Sequence, residues 1–566
     1  MLLWQLNNSG LPLGDAGDFL GASGAISNHF HNGDILEGLY QLFSGKPWRP
    51  VSFHLILFPF MLISKNNILF TAACVHILCL SVITIYAYYI FRIISESKVS
   101  CFLSSISIGL LSSSFFPGGD SFLFAEVGLT PAVLATVYHL YASNYMTDKK
   151  HSICTLLAMT LSFTVRPIEA ITHLIPVLIL FFYYGYKNNI FSKNLILSII
   201  KIILLMLLIL SFKGLDFGID HRIRDLDNGE AEDLYRILFY SLIAVIFFIF
   251  LPYILSKIKF FYLYVKNSKE KNNNTYALII FTLFSLIIFV WLADSWRDLY
   301  SWIYRTQFGD IAAATNVNSN FINKPDSIAN IFNRFYGQIK NAGLLPFVIT
   351  YLFVLISFLY RYKRKIKLVK KIYMYLFTAL IIPVIPVLVT ISNTPRKFAI
   401  SYILILIIGI CYTISTNNIR KYFSIILLGI IIAQSISIYN ISSSKPFIYS
   451  EIISGIFKKP EHESTEIEII DLIYKNSKKY DFKNVDLAFL HPRIKSDIFT
   501  SSLVNSLITD KTYITSLPVI FKKYKREWLI NRIKAIHAIF IINPYGSMDI
   551  SSSYAKKFID ESQKSK

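Results

Sequence analysis

Between about residues 66 and 440 the chain is a succession of long apolar runs broken by short polar connections. Leu195–Phe212, Leu238–Ile254, Ala277–Leu292 and Tyr422–Ile438 approach the length a bilayer core requires, about 20 mostly apolar residues. Taken in order, the runs predict spanning helices over roughly 66–94, 99–116, 128–145, 152–165, 168–186, 194–212, 236–256, 276–293, 342–360, 372–391, 398–415 and 422–440. Val51–Ser64 is apolar but short, contains Pro59, and has His54 and aromatic residues along it, so it reads as a helix lying at the membrane interface, the alternative being the first half of a kinked span. Beyond residue 440 the pattern changes. Thr465-Glu466-Ile467-Glu468 is a capping box ahead of an amphipathic run to Lys478. Val485–Leu490 and Ile536–Ile542 read as short buried strands, with a helical stretch near Lys525–Ile533 between them. The expected architecture is therefore mainly α: residues 1–65 as a first loop with an interfacial helix, 66–440 as a polytopic membrane helical bundle, and 447–566 as a small α/β domain.

Composition agrees with that pattern. Of 566 residues, 54% are hydrophobic and only 16% charged, against about 25% charged in ordinary soluble domains. A net charge of +21 would suggest nucleic acid in a soluble chain, but its placement argues for topology instead. Arg361, Lys363, Arg364, Lys365, Lys367, Lys370 and Lys371 share one short connection, and Lys257, Lys259, Lys266, Lys269 and Lys271 crowd another. With Arg92/Lys98, Lys149/Lys150, Lys187/Lys193 and Arg420/Lys421, every basic connection falls on one side when the runs alternate. That is the positive-inside signature of cytoplasmic loops. Residues 1–65, 213–235, 294–341 and everything after 440 are then extracytoplasmic. Met1–Gly10 lacks the apolar segment of a signal peptide, and one further helix upstream, making about thirteen spans, would carry the start of the chain across.

The five cysteines (Cys74, Cys79, Cys101, Cys154, Cys411) lie in or beside apolar runs without metal-ligand spacing, so they read as small buried hydrophobes. Richness in isoleucine, lysine and asparagine suggests an AT-rich genome and a bacterial source.

Candidate chemistry gathers on the side without the basic loops. Asp15 and Asp18, three apart in Gly14-Asp15-Ala16-Gly17-Asp18-Phe19, would share one face of a helix or tight turn. Carboxylates there suit either general-base work or a hard divalent cation, and equally suit capping a helix that begins near Phe19. Glu126 follows the turn Gly118-Gly119-Asp120 and precedes the third run, where an unpaired acid is costly without a role. Arg49, between Trp48 and Pro50, and the Arg396-Lys397 pair put positive charge where the inside rule disfavours it, which points to an anionic ligand. Arg166 and Glu169 flank Pro167; they read as a structural ion pair or as a headgroup contact. His29 and His31 read as solvated or hydrogen-bonded side chains. The loop 294–341 combines Trp296, Arg297, Tyr300, Trp302, Tyr304 and Arg305.

The order of these motifs resembles the GT-C glycosyltransferase superfamily, in the branch of protein O-mannosyltransferases and lipid A aminoarabinose transferases. The likeness rests on Gly14–Phe19, Trp48–Pro50, Ala125–Pro131 and Arg166–Glu169 within a shared topology over residues 1–440. It implies transfer of a sugar from a polyprenyl-phosphate donor to a glycan, lipid or protein acceptor at the outer face of a bacterial inner membrane. Asp15 or Asp18 would match the first-loop acid. Phe19 four after Asp15 favours Asp15; the interval to Gly33-Asp34 favours Asp18. Glu126 would match the second acid, and Arg49, with Arg166 and Arg396, would approach the lipid phosphate. A divalent metal at Asp15, Asp18 and Glu126 is compatible with the pattern. The family's usual Asp-Glu pair is missing here.

Two rival classes share the architecture. A lipid-sugar flippase or transporter should carry ionisable residues in mid-span and paired broken helices, whereas these spans are nearly free of ionisable groups. A membrane polysaccharide polymerase or ligase would place working basic residues in one large outer loop, a part 294–341 could play.

Overall fold

The computed structural model describes residues 15–43, 51–65, 67–113, 125–193, 195–197, 199, 277–288, 328–364, 371–389, 395–442, 484–489, 513–517 and 538–542. Most of these are helical. In chain order the helices are α1 (Asp15–His31), α2 (Ile35–Phe43), α3 (Val51–Ile63), α4 (Ile68–Ile94), α5 (Lys98–Ser113), α6 (Ala125–Ala142), α7 (Lys149–Val165), α8 (Pro167–Lys187), α9 (Ala277–Ile288), α10 (Ile328–Arg364), α11 (Lys371–Val389), α12 (Pro395–Ile414) and α13 (Asn417–Ser442). Four segments among the described residues are long and apolar enough to cross a membrane: Phe70–Ile94, Glu169–Lys187, Leu344–Arg364 and Asn417–Ile436. Phe53–Ile63, Lys98–Leu110, Ala277–Ile288 and Ile400–Ile414 are apolar but shorter. Most of the predicted run 194–212, all of 236–256, the Lys257–Lys271 cluster and the Thr465–Glu468 capping box lie outside the described residues.

Two segments differ from expectation. The first loop, where the sequence offered a helix beginning only near Phe19, is helical from Asp15. Phe19, Leu20, Ser23, Ile26 and Ser27 recur at helical spacing and are buried against α3. That burial outweighs the roughly 1 kcal/mol each interior glycine costs a helix. Likewise α10 begins at Ile328, well before the predicted start at 342. Ile328, Ile331, Phe332, Phe335 and Ile339 keep a helical period through otherwise polar sequence, which a search for continuous apolar runs passes over.

Local chemistry sets several helix ends. Asn67 Oδ1 accepts from the Phe70 amide at 2.9 Å and starts α4; Asp148 Oδ1 does the same for His151 at the head of α7. Pro167 opens α8, where its missing N–H costs nothing. Helix α1 stops at Gly33, whose φ of +84° allows the Asp34 amide to reach His29 O at 2.8 Å and the Gly33 amide to reach Phe30 O at 3.3 Å. Within the apolar helices, hydroxyls turn back on their own backbone: Thr136 Oγ1 donates to Ala132 O, and Ser162 Oγ to Ala158 O, each at 2.8 Å.

The helices pack as α6 on α7, α4 on α5 and α6, α8 on α11, α10 on α12, and α5 on α13. At one end of this bundle the basic residues meet. Arg361 donates to Thr416 Oγ1 at 2.9 Å and Ser415 Oγ at 2.6 Å, with Tyr412 under its guanidinium. Lys371 Nζ donates to the Tyr145 hydroxyl at 2.8 Å, and Arg420 Nη1 to Ser95 Oγ at 3.0 Å. The connection between α6 and α7 passes through Asn144, Tyr145 and Met146, all with positive φ (44°, 60° and 64°).

Three strands follow in the last part of the chain. β1 (Asn484–Phe489) lies between β2 (Tyr513–Leu517) and β3 (Ala538–Ile542), parallel to both, with Val485 opposite Ile514 and Ala538. Parallel neighbours require crossovers of about a dozen residues or more, and stretches 490–512 and 518–537 are long enough to supply them.

Candidate functional site

The end of the bundle opposite the basic cluster is where α4, α6, α8 and α12 begin, and there α1 and α3 are laid against it. Helix α3 packs on α4, α6 and α7, and two of its contacts fix its course. Near its start, the Phe53 ring lies so close to Gly128 of α6 that a Cβ on that glycine would sit 3.2 Å from it. At its far end, Ser64 Oγ is 3.2 Å from Thr71 Oγ1, and Thr71 donates to Met61 Sδ at 3.7 Å, at the head of α4. With both contacts at the heads of bundle helices, α3 runs across the bundle end.

Helix α1 is clasped to α3. Phe19 meets Phe53 edge-on at 5.0 Å and 80°, and Phe30 meets Phe58 at 4.8 Å. Between these ring contacts, Ser23 Oγ and His54 Nδ1 form a buried hydrogen bond of 2.9 Å. Phe53 is thus wedged between Phe19, the residue after Asp18, and Gly128, two residues after Glu126. Through one ring the first turn of α1, which carries Asp15 and Asp18, and the first turn of α6, which carries Glu126, are brought to the same place. Each is the N-terminal turn of a helix, where the dipole favours negative charge.

Arg166 stands in the turn between α7 and α8, its amide bonded to Ser162 O at 3.1 Å. Its Nη1 is 3.8 Å from Glu169 Oε1, a charge pair longer than a hydrogen bond. Arg396 is the second residue of α12, at this same end. Arg49 and the turn Gly118–Phe124 lie outside the described residues. His31 Nδ1 is 3.0 Å from Ser27 O, and His29 Nδ1 is 3.9 Å from Asp34 Oδ2. Among the described residues no group of three or more His, Cys, Asp or Glu is arranged to hold a metal ion.

Four histidines are buried among the described residues, His54, His76, His139 and His173, and the sequence assigned none of them a partner; His139 lies near the basic end, beside Tyr86 and His151, and the other three bear on this site. His54 stands behind Phe19 (ring centroids 6.0 Å apart) and is tied to a serine 31 positions away, a pairing no local pattern announces. His76 in α4 and His173 in α8 are buried within the bundle, and His173 Nδ1 lies 2.9 Å from Ala379 O of α11. The reading of the spans as nearly free of ionisable groups is to that extent corrected. His54, His76 and His173 each follow the head of their helix by a few turns or less, so all three belong to the same half of the bundle as the candidate acids.

The described arrangement can therefore offer acids on two helix N-termini and cations on two more, over a bundle of apolar helices. No known protein-family pattern matches the chain, and no curated protein matches it.

Proposed function

We propose that this chain is an inverting membrane glycosyltransferase that moves a sugar from a polyprenyl-phosphate donor to an acceptor hydroxyl at the outer face of a bacterial inner membrane. The observation that carries the reading is the wedge of Phe53 between Phe19 and Gly128, which gathers the helix turns bearing Asp15, Asp18 and Glu126. In this reading the bundle has about twelve or thirteen spans, its basic end is cytoplasmic, and residues 447–566 form a small α/β domain on the outer side.

The donor's tail lies among lipids and its phosphate rests at headgroup height. Asp15 or Asp18 takes the proton of the acceptor hydroxyl. The acceptor oxygen attacks the anomeric carbon from the face opposite the phosphate, and the C–O bond to phosphate breaks with its electron pair staying on the phosphate oxygen. Arg49, Arg166 and Arg396 stabilise the charge that appears there. Three carboxylates are also a donor set suited to a hard divalent cation, which would supply Lewis-acid stabilisation of the leaving phosphate.

The test is sugar transfer from a labelled polyprenyl-phosphate donor in proteoliposomes. Asp15→Asn or Asp18→Asn should reduce turnover by about 10²–10⁴-fold with donor binding retained, since an amide is nearly isosteric but takes no proton. Arg49→Ala should weaken donor binding as well as turnover. Near-normal turnover in both Asp variants removes the centre of this reading.

A further inference from the structure

Helix α2 divides into three faces. Gly38 and Leu42 face the protein: a Cβ on Gly38 would sit 2.5 Å from the Phe30 ring of α1, and Leu42 is only 4% exposed. Exposed Glu37 and half-buried Gln41 form a second, polar face, joined by a hydrogen bond of 2.8 Å from Gln41 Nε2 to Glu37 Oε1. The third face is apolar and uncovered. Ile35 is 54% exposed, Leu36 84%, Leu39 39% and Tyr40 68%. At 100° per residue these four fall within one arc of about 140°, with the polar pair beside Tyr40 at one edge and the buried Leu42 beside Ile35 at the other.

We infer that α2 is a membrane-surface helix, seated with the Ile35/Leu36/Leu39/Tyr40 face in the boundary between headgroups and acyl chains, and with Glu37 and Gln41 in water. Three observations choose lipid as the occupant. The helix is held, through Phe30 and Phe58, to α3, which lies across the heads of α4 and α6, so α2 is carried at the level where a bundle helix leaves the bilayer. Its polar and apolar faces lie side by side along the whole short helix, as a boundary between two solvents demands. The sequence that follows, Ser44-Gly45-Lys46-Pro47-Trp48-Arg49, supplies two cations and a tryptophan, the residues that favour headgroup phosphates and the interfacial belt. In this seat α2 fixes the depth of α1, and with it the height of Asp15 and Asp18 above the acyl chains.

The experiment uses the full chain in phosphatidylcholine–phosphatidylglycerol vesicles, with nitroxide labels placed one at a time at Leu36→Cys, Tyr40→Cys, Glu37→Cys and Gln41→Cys. Unsubstituted protein treated in the same way gives the background from the native cysteines. Collision with apolar oxygen and with a water-soluble nickel chelate is then compared at each site. Labels at 36 and 40 should favour oxygen and labels at 37 and 41 the chelate, so the ratio reverses between adjacent positions. Equal access of the chelate to all four sites would overturn the inference by placing α2 in water. Protection of sites 36 and 40 from both reagents would overturn it by placing a protein, or a second copy of the chain, on that face.

Discussion

Asn144, Tyr145 and Met146 hold three consecutive residues in the left-handed region, where a side chain costs roughly 1–2 kcal/mol per residue. Contacts around Tyr145 offset the cost: its hydroxyl accepts from Lys371 Nζ at 2.8 Å and from Asn188 Nδ2 at 3.1 Å, and its ring packs on Phe181 and Phe191. Tyr145→Phe keeps the ring and loses both acceptor bonds, so thermal unfolding in detergent should show a loss of about 1–3 kcal/mol. Exposed Asn144 gives the complementary test. Asn144→Gly should be neutral or stabilising, whereas Asn144→Val should destabilise by about 1–2 kcal/mol, because a β-branched residue tolerates positive φ worst. Equal effects of Gly and Val would contradict the backbone argument.

At the scale of elements, the contact of α3 with α6 decides whether the candidate acids stay together. Gly128 leaves room for the Phe53 ring; a larger side chain at that position must displace the ring and α3 with it. Gly128→Leu is expected to destabilise by about 1–3 kcal/mol through overpacking, and to reduce sugar transfer although no titratable group has changed. The compensating double variant, Gly128→Leu with Phe53→Ala, should recover stability if the collision is the cause. Failure to recover, measured by thermal unfolding, would show that the glycine serves another need. The buried Ser23–His54 bond belongs to the same clasp between α1 and α3.

Across the whole molecule, what the sequence made legible follows from solvent. A lipid solvent would demand continuous apolar helices; α4 through α8 and α11 through α13 appear within a few residues of the runs that announced them, and four segments among the described residues are long and apolar enough to cross a bilayer. Where a helix is half polar, as in α1 and in the first part of α10, the same criterion passes over it, and burial against a neighbour does the specifying. Asp15, Asp18 and Glu126 could be suspected from position alone; the ring that unites their helices is a contact between residues 53 and 128, with no local signature. His54 and Ser23 are hidden for the same reason. Topology is the global test: reporter fusions after Lys371 and after Pro446 should report opposite sides of the membrane. Finding both on one side would move the candidate acids to the wrong face.

The cations of the basic end have a further consequence. Arg361, Lys371 and Arg420 are bonded to hydroxyls and rings, and among the described residues no carboxylate is paired with them. Among the described residues their charge is fastened in place without being cancelled. On the proposed orientation an energised membrane, negative inside, attracts each of them toward the cytoplasm, at about 2.3 kcal/mol per charge per 100 mV if it were dragged fully across. The cell's own voltage thereby opposes inversion of the bundle, a restoring force that neutralised ion pairs could not transmit.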